Sequence, residues 1–235
     1  MQKLKEILFG KNWLSFLFML FSVVLLVNVI DLVRSVFWHI ETPWLAFVWG
    51  YSLQTSIFLF TVYFWFFRRF PNERKRISFH NTGYFQLVGN VLLIFLCYFT
   101  FVGLLFSVAQ YWGIDSIPGL SEQPSLLEPL GQGVGVIAAL IIAIFIAPTV
   151  EEYIFRGWGM ICLPVERYPY ISFLANAIFF GLLHFQIGSI IPLLFLGFML
   201  AWVRFRTNSL LPGIVFHVVN NCLAFIADYS MMNSK

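Results

Sequence analysis

Long stretches without a charged residue dominate this sequence. Six of them, each 19 to 36 residues long, separate the charged clusters: 12–30, 42–67, 81–114, 129–150, 168–203 and 207–227. A helix needs about 20 apolar residues to cross the hydrocarbon core of a bilayer. Only 11% of the 235 residues are charged, whereas a soluble domain carries roughly 25%. The sequence therefore predicts a polytopic membrane protein.

The apolar stretches predict helices, because they are continuous and do not alternate as the strands of a membrane barrel would. The longest stretch, 168–203, would form a helix of about 54 Å, far longer than one crossing of ~30 Å. Polar residues and a proline at 186–192 divide it. We expect an all-α membrane bundle of about seven transmembrane helices, over residues 12–34, 43–67, 84–112, 134–160, 169–186, 190–205 and 212–228.

The basic residues predict the orientation. If the N-terminus lies inside, every Lys and Arg except Arg34 and Lys235 falls in an inside segment, as the positive-inside rule requires. We therefore expect a multi-pass protein of the cell membrane with a cytoplasmic N-terminus. The first helix lacks a small-residue cleavage site, which favours a retained helix over a signal peptide.

Charge and cysteine content exclude other classes. A net charge of +3 is too small for a phosphate-binding surface, so no nucleic-acid partner is expected. Cys97, Cys162 and Cys222 lie in apolar runs without CxxC spacing, which is typical of buried apolar residues and not of a metal or redox site.

Three apolar helices each carry ionisable residues. Glu151, Glu152 and Arg156 follow the stretch 129–150, His184 closes the next helix, and His217 opens the last one. Ionisable groups within a bilayer are costly and usually functional. Each of them taken singly is more often an interhelical hydrogen-bonding or packing residue, but their presence together on three helices favours a shared site.

Helical spacing relates the acidic residues to Arg156. Glu152 lies four residues before Arg156, so the two share a helical face in the favourable order. Glu151 is turned by about 100° from Glu152, and its own i+4 position is Phe155. We therefore expect the two glutamates to play unequal roles, with Glu152 paired to Arg156.

The same four-residue spacing occurs in the other two helices. Phe180 precedes His184, which predicts an aromatic ring packed under an imidazole. His217 precedes Asn221, so these two side chains point together, whereas Asn220 lies off that direction.

A carboxylate, two imidazoles and a carboxamide suit hydrolysis. A glutamate can act as general base toward water, an imidazole can hold that water or donate a proton, and an amide can stabilise an oxyanion. A carboxylate with two histidines is also a ligand set that catalytic zinc accepts. Neither HExxH nor GxSxG occurs in the sequence, so zincin and serine-elbow chemistry is not predicted.

The ionisable and polar residues form three motifs: EExxxR at 151–156, FxxxH at 180–184 and HxxxN at 217–221. Together these motifs resemble those of the CPBP family, which contains CAAX prenyl endopeptidases and bacteriocin-processing membrane proteins and is also called the Abi family. Residues 129–235 would be the core that carries the catalytic motifs, and residues 1–128 an N-terminal three-helix region of the same integral membrane domain. The resemblance implies cleavage of a peptide bond in a membrane-tethered peptide or protein.

The resemblance also implies roles for individual residues. Glu151 is expected to activate water and His184 to hold it, while His217 and Asn221 stabilise the oxyanion. The family is described both as metalloproteases and as metal-free glutamate proteases. We expect no cofactor; if zinc is bound, the resemblance gives Glu151, His184 and His217 as ligands.

Supporting roles are implied for Glu152, Arg156 and Phe180, and Glu152 is counted with the catalytic set. The side chains of Glu151, His184, His217 and Asn221 are expected to converge on one water-accessible cavity.

Two other functions remain open from the residues alone. A non-catalytic immunity or scaffold protein would keep the same fold, and a transporter would use the buried charges as an ion pathway. The transporter is disfavoured because the sequence shows no inverted repeat.

Overall fold

The computed structural model describes residues 11–37, 40–64, 77–79, 83–114, 117–120, 125, 127–130, 133–184 and 187–233. Within these ranges the chain forms long helices and no strand. The helices are α1 Lys11–Phe37, α2 Pro43–Val62, α3 Tyr84–Tyr111, α4 Val134–Cys162, α5 Pro169–Leu183, α6 Ile190–Thr207 and α7 Leu211–Asn233.

The predicted all-α, polytopic fold is confirmed. Six of these helices are long and apolar enough to cross a membrane. The exception is α5, which has 15 residues and a length of about 22 Å, short of the ~30 Å hydrocarbon core. The predicted division of 168–203 is also confirmed, since a 3₁₀ turn over Ile187–Ser189 separates α5 from α6.

Proline and asparagine mark the helix ends. Pro43 and Pro169 occupy first-turn positions of α2 and α5, where the missing N–H costs nothing. Asn208 ends α6 in the left-handed conformation, with φ 49°, which asparagine tolerates better than most residues. Its Oδ1 accepts a hydrogen bond of 3.0 Å from Arg204 Nη1, so a side chain in the last turn of α6 holds the residue that ends the helix.

Helix α4 departs from the uniform α-helix predicted over 134–160. Two π-helical segments, Ile141–Ile146 and Glu152–Gly159, interrupt it. Pro148 lacks an N–H and its ring crowds the carbonyl four residues earlier, at Ile144, so a widened turn before it relieves that clash. π-Helical turns are rare in proteins, and those that do occur are often found at functional sites.

Two compact units divide the chain, and each has its own packing. The first contains Met1–Arg76, Ser125–Ile154 and Val218–Lys235. In its described part, α1 packs on α2, and Leu127, Leu130 and Ala139 form a cluster with partly buried neighbours that include Trp44, Phe47 and Phe225. Asp228 Oδ2 accepts a hydrogen bond of 3.1 Å from the Leu127 N–H, which joins α7 to the segment before α4.

The second unit contains Ile77–Pro124 and Phe155–His217. Among its described residues, α5 packs extensively on α6, and a Cβ added to Gly197 would lie 2.9 Å from Ala177 Cα. Small residues permit such close approach between membrane helices. Phe101 of α3 stacks on Phe195 of α6, with ring centroids 3.9 Å apart, so α3 is joined to the same pair of helices.

Several sequence predictions concern other parts of the chain. Lys3, Lys5, Lys235 and most of the basic segment 68–80 lie outside the described residues. The cytoplasmic N-terminus and the separate region over residues 1–128 stay predictions.

Candidate active site

The two adjacent glutamates have different surroundings. Glu152 is buried, with 1% of its surface exposed, whereas Glu151 is half-buried. Glu151 ends the α-helical stretch Ala147–Glu151, and Glu152 begins the π-helical segment. A π-turn holds more residues than the 3.6 of an α-turn, so the spacing of side chains around the helix axis changes after Glu152.

Asn221 lies in the same compact unit as the glutamates. Its Nδ2 donates a hydrogen bond of 2.9 Å to the carbonyl of Ala143, which belongs to the first π-segment of α4. An amide NH₂ carries two hydrogens. The contact to Ala143 therefore uses one of them, and a second one can serve an oxyanion.

Arg156 is fully buried in the second unit, with 0% of its surface exposed. Its Nη2 donates a hydrogen bond of 3.1 Å to the Gly197 carbonyl, and its guanidinium carbon lies 4.3 Å from the centroid of the Phe180 ring. A guanidinium over an aromatic face gains cation–π attraction, which strengthens as water is removed.

The Phe180 ring is the centre of a cluster in this unit. Its centroid lies 4.5 Å from the His184 ring and 5.8 Å from the His217 ring, and Phe155 meets it edge-on at 5.4 Å. His217 is buried, with 3% exposed, and His184 is half-buried. Three predicted site residues, Arg156, His184 and His217, thus lie around the ring of a fourth, Phe180.

His184 has a defined hydrogen-bonding state at the end of α5. Its Nδ1 lies 2.7 Å from the Phe180 carbonyl, and because a carbonyl can only accept, Nδ1 must carry the proton. When this imidazole is neutral, its lone pair is on Nε2. Such a nitrogen can accept a hydrogen bond from a water molecule.

The described residues do not offer a ready metal site. No group of three His, Cys, Asp or Glu side chains among them could hold a metal ion. The expected absence of a cofactor, and the alternative zinc ligand set Glu151, His184 and His217, stay predictions. The convergence of Glu151 and Asn221 with the two imidazoles on one cavity stays a prediction.

Three residues near the predicted site were missed by sequence reasoning. Asn176 is fully buried and donates to the Phe155 carbonyl at 2.8 Å. Gly197 supplies the carbonyl that binds Arg156. In the first unit, the hydroxyl of Tyr51 hydrogen-bonds with Thr55 and lies within electrostatic range of Glu151. Asn176 had a usable signal, since it lies four residues before Phe180 in an apolar helix.

Comparisons with known proteins support the motif assignment. Neither the search of curated proteins nor the search of solved structures found a match. The family model that matches residues 133–223 describes the type II CAAX prenyl endopeptidases, Rce1-like. This range is under half of the chain, and it contains all three motifs. The resemblance drawn from those motifs is therefore confirmed: residues 133–223 are similar to the Rce1-like type II CAAX prenyl endopeptidases.

Proposed function

We propose that this multi-pass membrane protein is an intramembrane endopeptidase. It cleaves a peptide bond near the C-terminus of a membrane-tethered peptide or protein, using a water molecule activated by glutamate. The observation that carries the proposal is the family match over residues 133–223, because that range holds every residue of the three motifs. We place the protein in the cell membrane with its N-terminus in the cytoplasm.

In the proposed reaction, the Glu151 carboxylate takes a proton from water, and the resulting hydroxide attacks the scissile carbonyl carbon. The oxyanion that forms accepts hydrogen bonds from His217 and Asn221. Collapse of the tetrahedral intermediate breaks the C–N bond, and the proton held by Glu151 passes to the leaving amine. The lone pair on His184 Nε2 accepts a hydrogen bond from the attacking water, as the protonated Nδ1 allows.

Phe180 and Arg156 support this chemistry without touching the substrate. The ring of Phe180 packs against both imidazoles, and Arg156 lies on that ring. Precise placement of catalytic groups contributes strongly to rate, since small displacements are costly. Glu152 is proposed to supply the buried negative charge that balances Arg156.

The alternative is a non-catalytic scaffold or immunity protein. It is favoured by the contact from Asn221 to the Ala143 carbonyl, because a packing role alone accounts for that bond. Such a protein would need the same folded helices and no turnover.

Cleavage by purified protein separates the two functions. A panel of short peptides, with and without a C-terminal prenyl group, is incubated with wild type, Glu151→Gln and Glu166→Gln. Glu166 is exposed and lies outside the motifs, so it is the matched control. We expect cleavage by wild type and Glu166→Gln only, with or without a metal chelator. Absence of cleavage by wild type in every arm would favour the scaffold, and loss of activity with chelator would favour a metal-dependent mechanism.

A further inference from the structure

The amide side chain of Asn176 is buried in the apolar helix α5. Among the described residues, its only hydrogen bond is to a residue outside that helix. Its Nδ2 donates 2.8 Å to the carbonyl of Phe155, 21 residues earlier in the chain. Phe155 lies within the π-helical segment Glu152–Gly159. The bond therefore joins α5 to the second π-segment of α4.

The position of Asn176 on α5 connects this bond to the Phe180 cluster. Asn176, Phe180 and His184 are each four residues apart, so they form one line along the same face of α5. The carbonyl that Asn176 binds belongs to the residue immediately before Arg156. The amide thus fixes the register between the face that carries Phe180 and His184 and the turn that carries Arg156.

Stability alone does not explain an asparagine here. Its Oδ1 is buried and has no hydrogen-bond partner among the residues that the structure describes. Burying an unsatisfied polar atom is unfavourable, and an apolar side chain would avoid that cost. The benefit of Asn176 must therefore lie in the donor bond to Phe155.

We propose that Asn176 is a positioning residue for the peptide hydrolysis proposed above, on which this inference rests. By holding the Phe155 carbonyl, it keeps Arg156 seated on Phe180 and keeps Phe180 against His184 and His217. Asn176 touches neither the substrate nor the water. Its effect reaches the reaction through the two imidazoles.

The test compares Asn176→Leu with Asn90→Leu in the full-length protein. Asn90 is also buried, but among the described residues its Nδ2 bonds only to the Gln86 carbonyl, one turn earlier in its own helix. We expect Asn176→Leu to lower kcat about 10- to 100-fold, with KM within about twofold of wild type. Hydrogen–deuterium exchange of the amides in 152–162 should become faster in this variant and stay unchanged in Asn90→Leu.

The outcomes separate this proposal from the proposed function. If Asn176→Leu keeps wild-type kcat and wild-type exchange over 152–162, the positioning role is overturned while the peptidase stands. If wild type cleaves no peptide, the proposed function fails, and the exchange comparison still decides whether Asn176 holds the π-segment. Asn176→Ala is the second variant; if neither variant accumulates as folded protein, Asn176 is structural and the positioning proposal is overturned.

Discussion

Burial separates the two glutamates that are neighbours in the chain. Glu152 is enclosed and Glu151 is half-buried, so of the two carboxylates only Glu151 has an exposed surface of appreciable size. The buried cation of Arg156 needs a counter-charge nearby, because an unbalanced charge away from water is strongly unfavourable. Glu152, one turn earlier in the sequence, is the carboxylate that the spacing predicts for this purpose.

This difference predicts opposite behaviour for the two Gln variants. Glu151→Gln keeps the shape and removes the base, so we expect cleavage to fall about 10²–10⁴-fold with an unchanged melting temperature. Glu152→Gln should cost about 3 kcal/mol of stability, as when a buried pair loses one partner. Thermal melting in detergent beside the peptide assay distinguishes them. If Glu152→Gln melts like wild type but is inactive, and Glu151→Gln is fully active, the roles of the two glutamates are the reverse of those proposed.

At the scale of elements, the contact between α5 and α6 holds the Phe180 cluster in place. Gly197 of α6 meets Ala177 and Phe180 of α5, and its carbonyl also accepts the Arg156 bond. One residue without a side chain thus serves both the helix contact and the buried cation. A larger residue would separate the two helices and move the carbonyl.

Substitution of Gly197 tests the importance of this contact. A Cβ at Gly197 would lie 2.9 Å from Ala177 Cα, so Gly197→Ala forces the helices apart and should cost about 1–3 kcal/mol. Gly89→Ala in α3 is the matched control, because a Cβ there meets nothing within 4 Å; it should be neutral or stabilising by about 0.5–1 kcal/mol. Equal melting temperatures for both variants would contradict the close contact.

At the scale of the whole molecule, α5 decides whether the two termini lie on the same side of the membrane or on opposite sides. Six helices are long enough to cross, and the seventh crossing predicted from the sequence requires α5 to cross despite its 15 residues. A crossing by α5 puts the C-terminus outside when the N-terminus is inside. The short helix therefore decides the parity of the fold.

Cysteine labelling in intact cells checks this topology. Single cysteines at Glu73, Trp112 and Ser234 are introduced after the three native cysteines are replaced. A membrane-impermeant maleimide should label Trp112→Cys and Ser234→Cys but not Glu73→Cys, because the basic segment is retained inside. Labelling of Glu73→Cys would refute the orientation, and protection of Ser234→Cys with labelling of Trp112→Cys would show that α5 does not cross.

The sequence by itself determined the helical membrane class and the break between α5 and α6. Both follow from local chemistry: in hydrocarbon a spanning segment must satisfy its own backbone hydrogen bonds, and a stretch of 36 residues is too long for one crossing. The contact between Phe180 and His184 is local in the same sense, because four-residue spacing within a helix brings those rings together. The three motifs, read as a set, were also enough to identify the matching family.

Only the tertiary structure decided which carbonyls the polar side chains reach. Arg156 bonds Gly197, Asn176 bonds Phe155, and Asn221 bonds Ala143, across separations of 41, 21 and 78 residues. The unequal burial of the two glutamates was likewise absent from the pattern of residues. These features depend on how closely separate helices pack. Helical periodicity relates residues only within one helix, so it carries no information about packing between helices.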